Sequence, residues 1–136
     1  MDTSKAEKSR AQTKLEWCWT EYYWYPLAKT VRKDVLAFEC QKLENTIKEK
    51  EFGLFIEQHF KGRTVNFIQE FIQGSETPVE SLEGYGFWHS EVFLVTENLK
   101  EIVYWSHEGT ITLGGFKLIS AFKSSFTNWK HCVCEW

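Results

Sequence analysis

The order of apolar and polar positions divides the chain into a helix-like first half and a strand-rich second part. Leu15, Cys18, Trp19, Tyr22 and Tyr23 recur at i, i+3, i+4, i+7 and i+8, the spacing of one helix face. The same stretch also alternates as Leu15, Trp17, Trp19, so a strand is the open alternative. The helix reading stops before Pro26, because a residue preceding proline avoids the right-handed helical region. Asp34 to Phe52 predicts a clearer helix. Asp34 caps its start, and Leu36, Cys40, Leu43 and Ile47 form one apolar stripe. Glu39, Gln41, Lys42, Glu44 and Lys48 lie opposite, with Glu44 and Lys48 spaced to pair, and Gly53 closes the helix. Residues 53–60 are a short apolar run of open type, and Lys61-Gly62 reads as a turn. Thr64 to Gln73 predicts a further helix, with Asn66, Gln69, Glu70 and Gln73 on one face and Val65, Phe67, Ile68, Phe71 and Ile72 on the other. Gly74 to Gly86, with its glycines and Pro78, reads as a loop.

After that loop the pattern changes. Glu91 to Thr96, Ile102 to Ser106 and Ile111 to Leu113 are rich in β-formers, with turn residues at Glu97-Asn98 and Glu108-Gly109 between them. Closely spaced runs of this kind predict an antiparallel meander. Phe116 to Lys130 returns to helical spacing through Leu118, Phe122, Phe126 and Trp129, and His131 to Trp136 alternates like a short edge strand. The expected fold is therefore α+β. A polar tail over residues 1–13 precedes a single domain over 14–136, in which N-terminal helices pack on a C-terminal antiparallel meander with a late helix. An all-β barrel is the competing architecture, because several of the runs also alternate.

Composition sharpens this picture in two ways. Seven Trp, eleven Phe and five Tyr in 136 residues give the chain a large apolar payload. The net charge of −3 weighs against nucleic acid as the main ligand and against an anionic membrane surface. The first fourteen residues hold no apolar stretch of signal-peptide type, and no run approaches the roughly eighteen apolar residues of a membrane span. Cys18, Cys40, Cys132 and Cys134 form no C-x-x-C pair. Reduced thiols and a cytoplasmic setting are the expectation.

Candidate chemistry is sparse. The cluster Trp17, Trp19, Tyr22, Tyr23 and Trp24, joined by Trp88 and Trp105, offers a partner or ligand surface, since Trp and Tyr dominate binding hot spots. Wound as a helix, the N-terminal rings would cover nearly every azimuth, so some of them would face outward. His89 and Glu91 share one face of a strand start, where a carboxylate would orient an imidazole for acid–base work, and His107 lies at a hairpin tip nearby. These three are the weak catalytic candidates. Ser90 points the other way, so no Ser-His-acid triad assembles from this segment. The spacing matches no metal motif, and no metal or cofactor is implied. The glycine patterns of nucleotide-binding loops and of the hydrolase nucleophile elbow do not occur.

The last third, EIVYWSHEG followed by GFKLISAFKSSFTNW, is similar to the strand-turn-helix end of the small immunity proteins that neutralise bacterial toxins. The likeness covers about a quarter of the chain, and the Leu-Pro-rich helical segment that those proteins carry upstream is not found here. Two functions are thus expected. The first is a non-enzymatic module that engages a protein partner through an aromatic-rich surface, as an inhibitor or immunity-type protein would. The second is a small-molecule-binding domain or small enzyme, with an aromatic pocket for an apolar ligand and His/Glu acid–base groups.

Overall fold

The computed structural model describes residues 17, 34–70, 76–79, 86–88, 92–106 and 108–134. The polar tail and the helix expected near residues 15–25 lie outside them, apart from Trp17. The described chain runs β1 (Val35–Glu39), α1 (Cys40–Thr46), α2 (Glu49–Phe60), β2 (Val65–Glu70), β3 (Glu76–Val79), β4 (Val92–Thr96), β5 (Ile102–Trp105), β6 (Thr110–Gly114), α3 (Phe116–Ser125) and a 3₁₀ turn (Trp129–Cys132). The strands form one antiparallel sheet in the order β1-β6-β5-β4-β2-β3. The sheet is open, ending at β1 and β3, so the architecture is α+β and not a closed barrel.

The meander β4-β5-β6 follows the expected runs. Its hairpins are short because their turns are well supplied with local bonds. Asn98 Oδ1 accepts from Thr96 Oγ1 at 2.8 Å and from the Lys100 amide at 3.1 Å, while Leu99 takes a left-handed φ of 62°. At the second turn Gly109 has φ 78°, and Ser106 Oγ bonds Thr110 Oγ1 at 2.7 Å and accepts from the Glu108 amide.

Five expected elements differ. The helix foreseen from Asp34 to Phe52 is a strand followed by two helices. Val35–Glu39 pairs with β6, and this non-local ladder overrides the local helical stripe. Cys40, Leu43 and Ile47 still face the core, now from α1 and its end. Gly53 sits inside α2 and does not end it, because Phe52, Ile56 and Phe60 carry the buried stripe onward to a turn at Gly62, whose φ is 76°. The helix foreseen from Thr64 to Gln73 is β2, held between β3 and β4. The expected loop contains β3, a strand carrying Pro78 at the sheet edge. The late helix ends at Ser125, and the chain's last described stretch makes one bridge, Val133 to Phe38, in place of an edge strand.

Across β1, β4, β5 and β6 both faces of the sheet carry buried residues. On one face Phe38, Leu94, Val103, Trp105, Ile111 and Leu113 meet Leu43, Phe52, Ile56, Leu118 and Phe122 from the helices. Phe122 is the hub, with ring centroids 4.7 Å from Phe38, 5.6 Å from Phe55 and 6.3 Å from Phe52. On the opposite face Val35, Phe93, Val95, Ile102 and Tyr104 cluster with Trp17. Gly114 allows that close approach: a Cβ there would stand 2.6 Å from both the Trp17 ring and Ile102.

Candidate functional site

Residues 86–88 form a short strap laid across α1, α2 and the β5–β6 hairpin. Three of its backbone groups have partners, each on a different element. The Gly86 carbonyl accepts from Trp105 Nε1 at 2.9 Å. The Phe87 amide donates to Glu49 Oε2 at 2.8 Å, and the Phe87 carbonyl accepts from the Cys40 thiol at 3.1 Å. The Phe87 ring is buried against Phe52, with centroids 5.3 Å apart. The next residue, Trp88, therefore leaves a fixed anchor. Its side chain is 56% exposed, its Nε1 donates to the Glu44 carboxylate, and its ring passes beside Gly109 at the hairpin tip. The indole is displayed at the surface but held in one orientation.

The surroundings of this indole are acidic. Glu44 and Glu49 touch Trp88 and the strap, and exposed Glu108 precedes Gly109. The Cys40 thiol reports that field: burial first, then the charges of Glu44 and Glu49, push it up to about 12. Burial likewise raises the Cys132 thiol. Cys40, Cys132 and Cys134 are buried and lie in no disulfide among the described residues.

A second polar cluster lies at the end of α2. Glu101 is only 3% exposed, yet it carries a carboxylate at the start of β5. His59 Nε2 meets its Oε1 at 2.7 Å, and Arg63 binds its Oε2. Burial raises the Glu101 pKa, but the hydrogen bonds and charges of Arg63 and His59 outweigh it and hold the carboxyl below its ordinary value. The cluster forms the floor of an open cleft of about 410 Å³, lined by Asp34, Arg63, Asn98, Lys100, Glu101, Phe116 and Lys117. A neighbouring hollow of about 360 Å³ is lined by Arg63, Thr64, Thr96, Glu97 and Asn98. Phe116 is the one ring among the described residues of either lining.

The residues foreseen as a site are thus distributed. Trp88 stands on the surface. Trp17 and Trp105 are fully buried and serve the two faces of the sheet, each with its indole N–H on a carbonyl, Leu99 and Gly86 respectively. Trp19, Tyr22, Tyr23, Trp24, His89, Glu91 and His107 lie outside the described residues. Among the described residues, no group of three His, Cys, Asp or Glu side chains is placed to hold a metal ion, and no helix is long and apolar enough to cross a membrane.

Glu44, Glu49, His59, Arg63 and Glu101 were not foreseen as site residues. Glu44 was expected to pair with Lys48 along a helix, and its use by Trp88 across the fold leaves no local trace. His59 and Arg63 are spaced i, i+4, which was a readable hint, but their shared acceptor Glu101 is distant in sequence. No family model matches the chain, and no curated protein or solved structure shows significant similarity to it.

Proposed function

We propose that this domain is a non-enzymatic binding module that engages a protein partner through a surface centred on Trp88. The observation that carries this reading is the display of that indole: a large ring, more than half exposed, fixed by Glu44 and by the bonded strap behind it. A rigid exposed Trp loses little conformational freedom on binding, which is why such residues act as interface anchors. The similarity of the last third to the ends of small immunity proteins fits the same role, in which the module acts by covering a site on another protein. A cytoplasmic setting suits it, since the cysteine spacing suggests no disulfide framework. The aromatic-pocket reading gains little from the two hollows, whose described linings hold a single ring, that of Phe116.

The test is affinity capture from the native host with the immobilised chain and its Trp88→Ala variant side by side. The captured partner is then purified and its Kd measured against both. Loss of a hot-spot Trp is expected to weaken binding by about 2 kcal/mol or more, some thirtyfold. A partner bound equally by both chains would remove Trp88 from the interface, and capture of no specific protein would count against the module.

A further inference from the structure

The Trp88 surface also states the chemistry of what it would meet. This deepens the reading above and rests on it. Glu44 on α1 touches the indole, Glu49 at the start of α2 holds the neighbouring Phe87 amide, and the ring passes Gly109, the residue after Glu108 at the hairpin tip. Lys48 is the one basic residue between Glu44 and Glu49 in the sequence, so among the described residues of that stretch carboxylates outnumber cations. The neighbouring Lys42 is already paired with Glu39 at 2.9 Å. Glu44 and Glu49 each use one oxygen on the indole or the strap, which leaves the other oxygen of each carboxylate for an incoming donor. Tryptophan is also the ring that attracts a cation over its face most strongly.

We infer that the partner segment docking on Trp88 is basic, an Arg- or Lys-bearing stretch of a protein whose cation lies over the indole and pairs with the Glu44 and Glu49 carboxylates. Charge complementarity selects this occupant over an acidic or purely apolar one. An acidic segment would meet like charge at the rim, and an apolar one would strip water from carboxylates without replacing their hydrogen bonds.

The inference is tested on the full chain labelled with fluorotryptophan, the Trp88 fluorine resonance being assigned by its disappearance in Trp88→Phe. Three peptides of equal length serve as probes: a Gly-Arg repeat, a Gly-Glu repeat and a Ser-Leu repeat. The Gly-Arg peptide should shift the Trp88 resonance saturably, more weakly as salt rises. The variant Glu44→Gln with Glu49→Gln keeps an acceptor oxygen for the indole and for the Phe87 amide while removing both charges. It should bind the Gly-Arg peptide about tenfold more weakly, with an unchanged circular dichroism spectrum. If the double variant does not fold, Glu44→Gln alone should give a smaller loss in the same direction. A Trp88 shift produced by the Ser-Leu peptide alone would overturn the basic-partner inference while leaving the binding module intact. Equal response to Gly-Glu and Gly-Arg, no loss in the Gln variants, or no Trp88 shift with the Gly-Arg peptide would overturn it as well. The module itself stands or falls on the partner captured with and without Trp88.

Discussion

Replacing Glu101 by Gln keeps the shape of the side chain and removes one buried negative charge. The native carboxylate joins the end of α2 to the start of β5 through His59 and Arg63. The two contacts differ in worth because they differ in exposure. The His59 side chain is 15% exposed, so a hydrogen bond to the charged carboxylate there contributes about 1.5–3 kcal/mol. The Arg63 side chain is 36% exposed, and solvent screening reduces its share to about 0.5–1 kcal/mol. The amide of Gln recovers part of both, so Glu101→Gln should lose about 2 kcal/mol at pH 7. The pH dependence identifies the charge. The Glu101 carboxyl titrates below its ordinary value in the folded chain, so its stabilisation is fully present above the unfolded pKa of about 4.3 and is lost as pH falls through the lower folded value. Urea melts of both chains between pH 7 and pH 2 should therefore converge at the acid end, with equal m-values throughout. A stability gap that stays constant across that range, or no gap at pH 7, would refute the reasoning.

Three further outcomes are expected. Gly115 has φ 108°, and a Cβ there would lie 2.5 Å from the Lys100 carbonyl oxygen, so Gly115→Ala should lose about 1–3 kcal/mol in a thermal melt, whereas an unchanged Tm would contradict the geometry. Trp88→Ala should leave stability within about 0.5–1 kcal/mol of the native chain, while Phe87→Ala, which empties the site packed on Phe52, should lose about 3 kcal/mol or more by urea titration; the reverse order would show that the strap is not anchored through Phe87. With its thiol pushed up to about 12, Cys40 should alkylate far more slowly in the folded chain than in urea at mildly alkaline pH, as read by peptide mass mapping; equal rates would show that the thiol is neither buried nor bonded to Phe87.

What the residues revealed in advance follows physical locality. The meander was legible because Val92–Thr96, Ile102–Trp105 and Thr110–Gly114 are β-rich and separated by turn chemistry that acts within a few residues. The late helix was legible through Leu118 and Phe122, whose spacing is set by the helix itself. β1 was not legible, since Val35–Glu39 becomes a strand only by pairing with β6 far along the chain, and β2 was not, since Val65–Glu70 also fits helical spacing and is held as a strand by β3 and β4 on its two sides. Of the site, Trp88 was legible as an unusual ring. Its setting was not, because Glu44 lies 44 residues away in the sequence and reaches the indole only after the strap crosses α1. Glu101 looked like an ordinary polar residue before a strand. Its burial depends on His59 and Arg63 arriving from another element.

The segment that follows the 3₁₀ turn has a consequence for how this molecule can associate. Val133 bridges Phe38, and the Cys134 amide donates to the Ala37 carbonyl at 2.8 Å, so the middle of β1's outer border is already occupied by the chain itself. At the opposite border, Pro78 brings no N–H to a would-be neighbour. Backbone zippering, the usual route by which open sheets extend into one another, is discouraged at both margins. A partner of the kind proposed above would accordingly meet side chains rather than these two described borders.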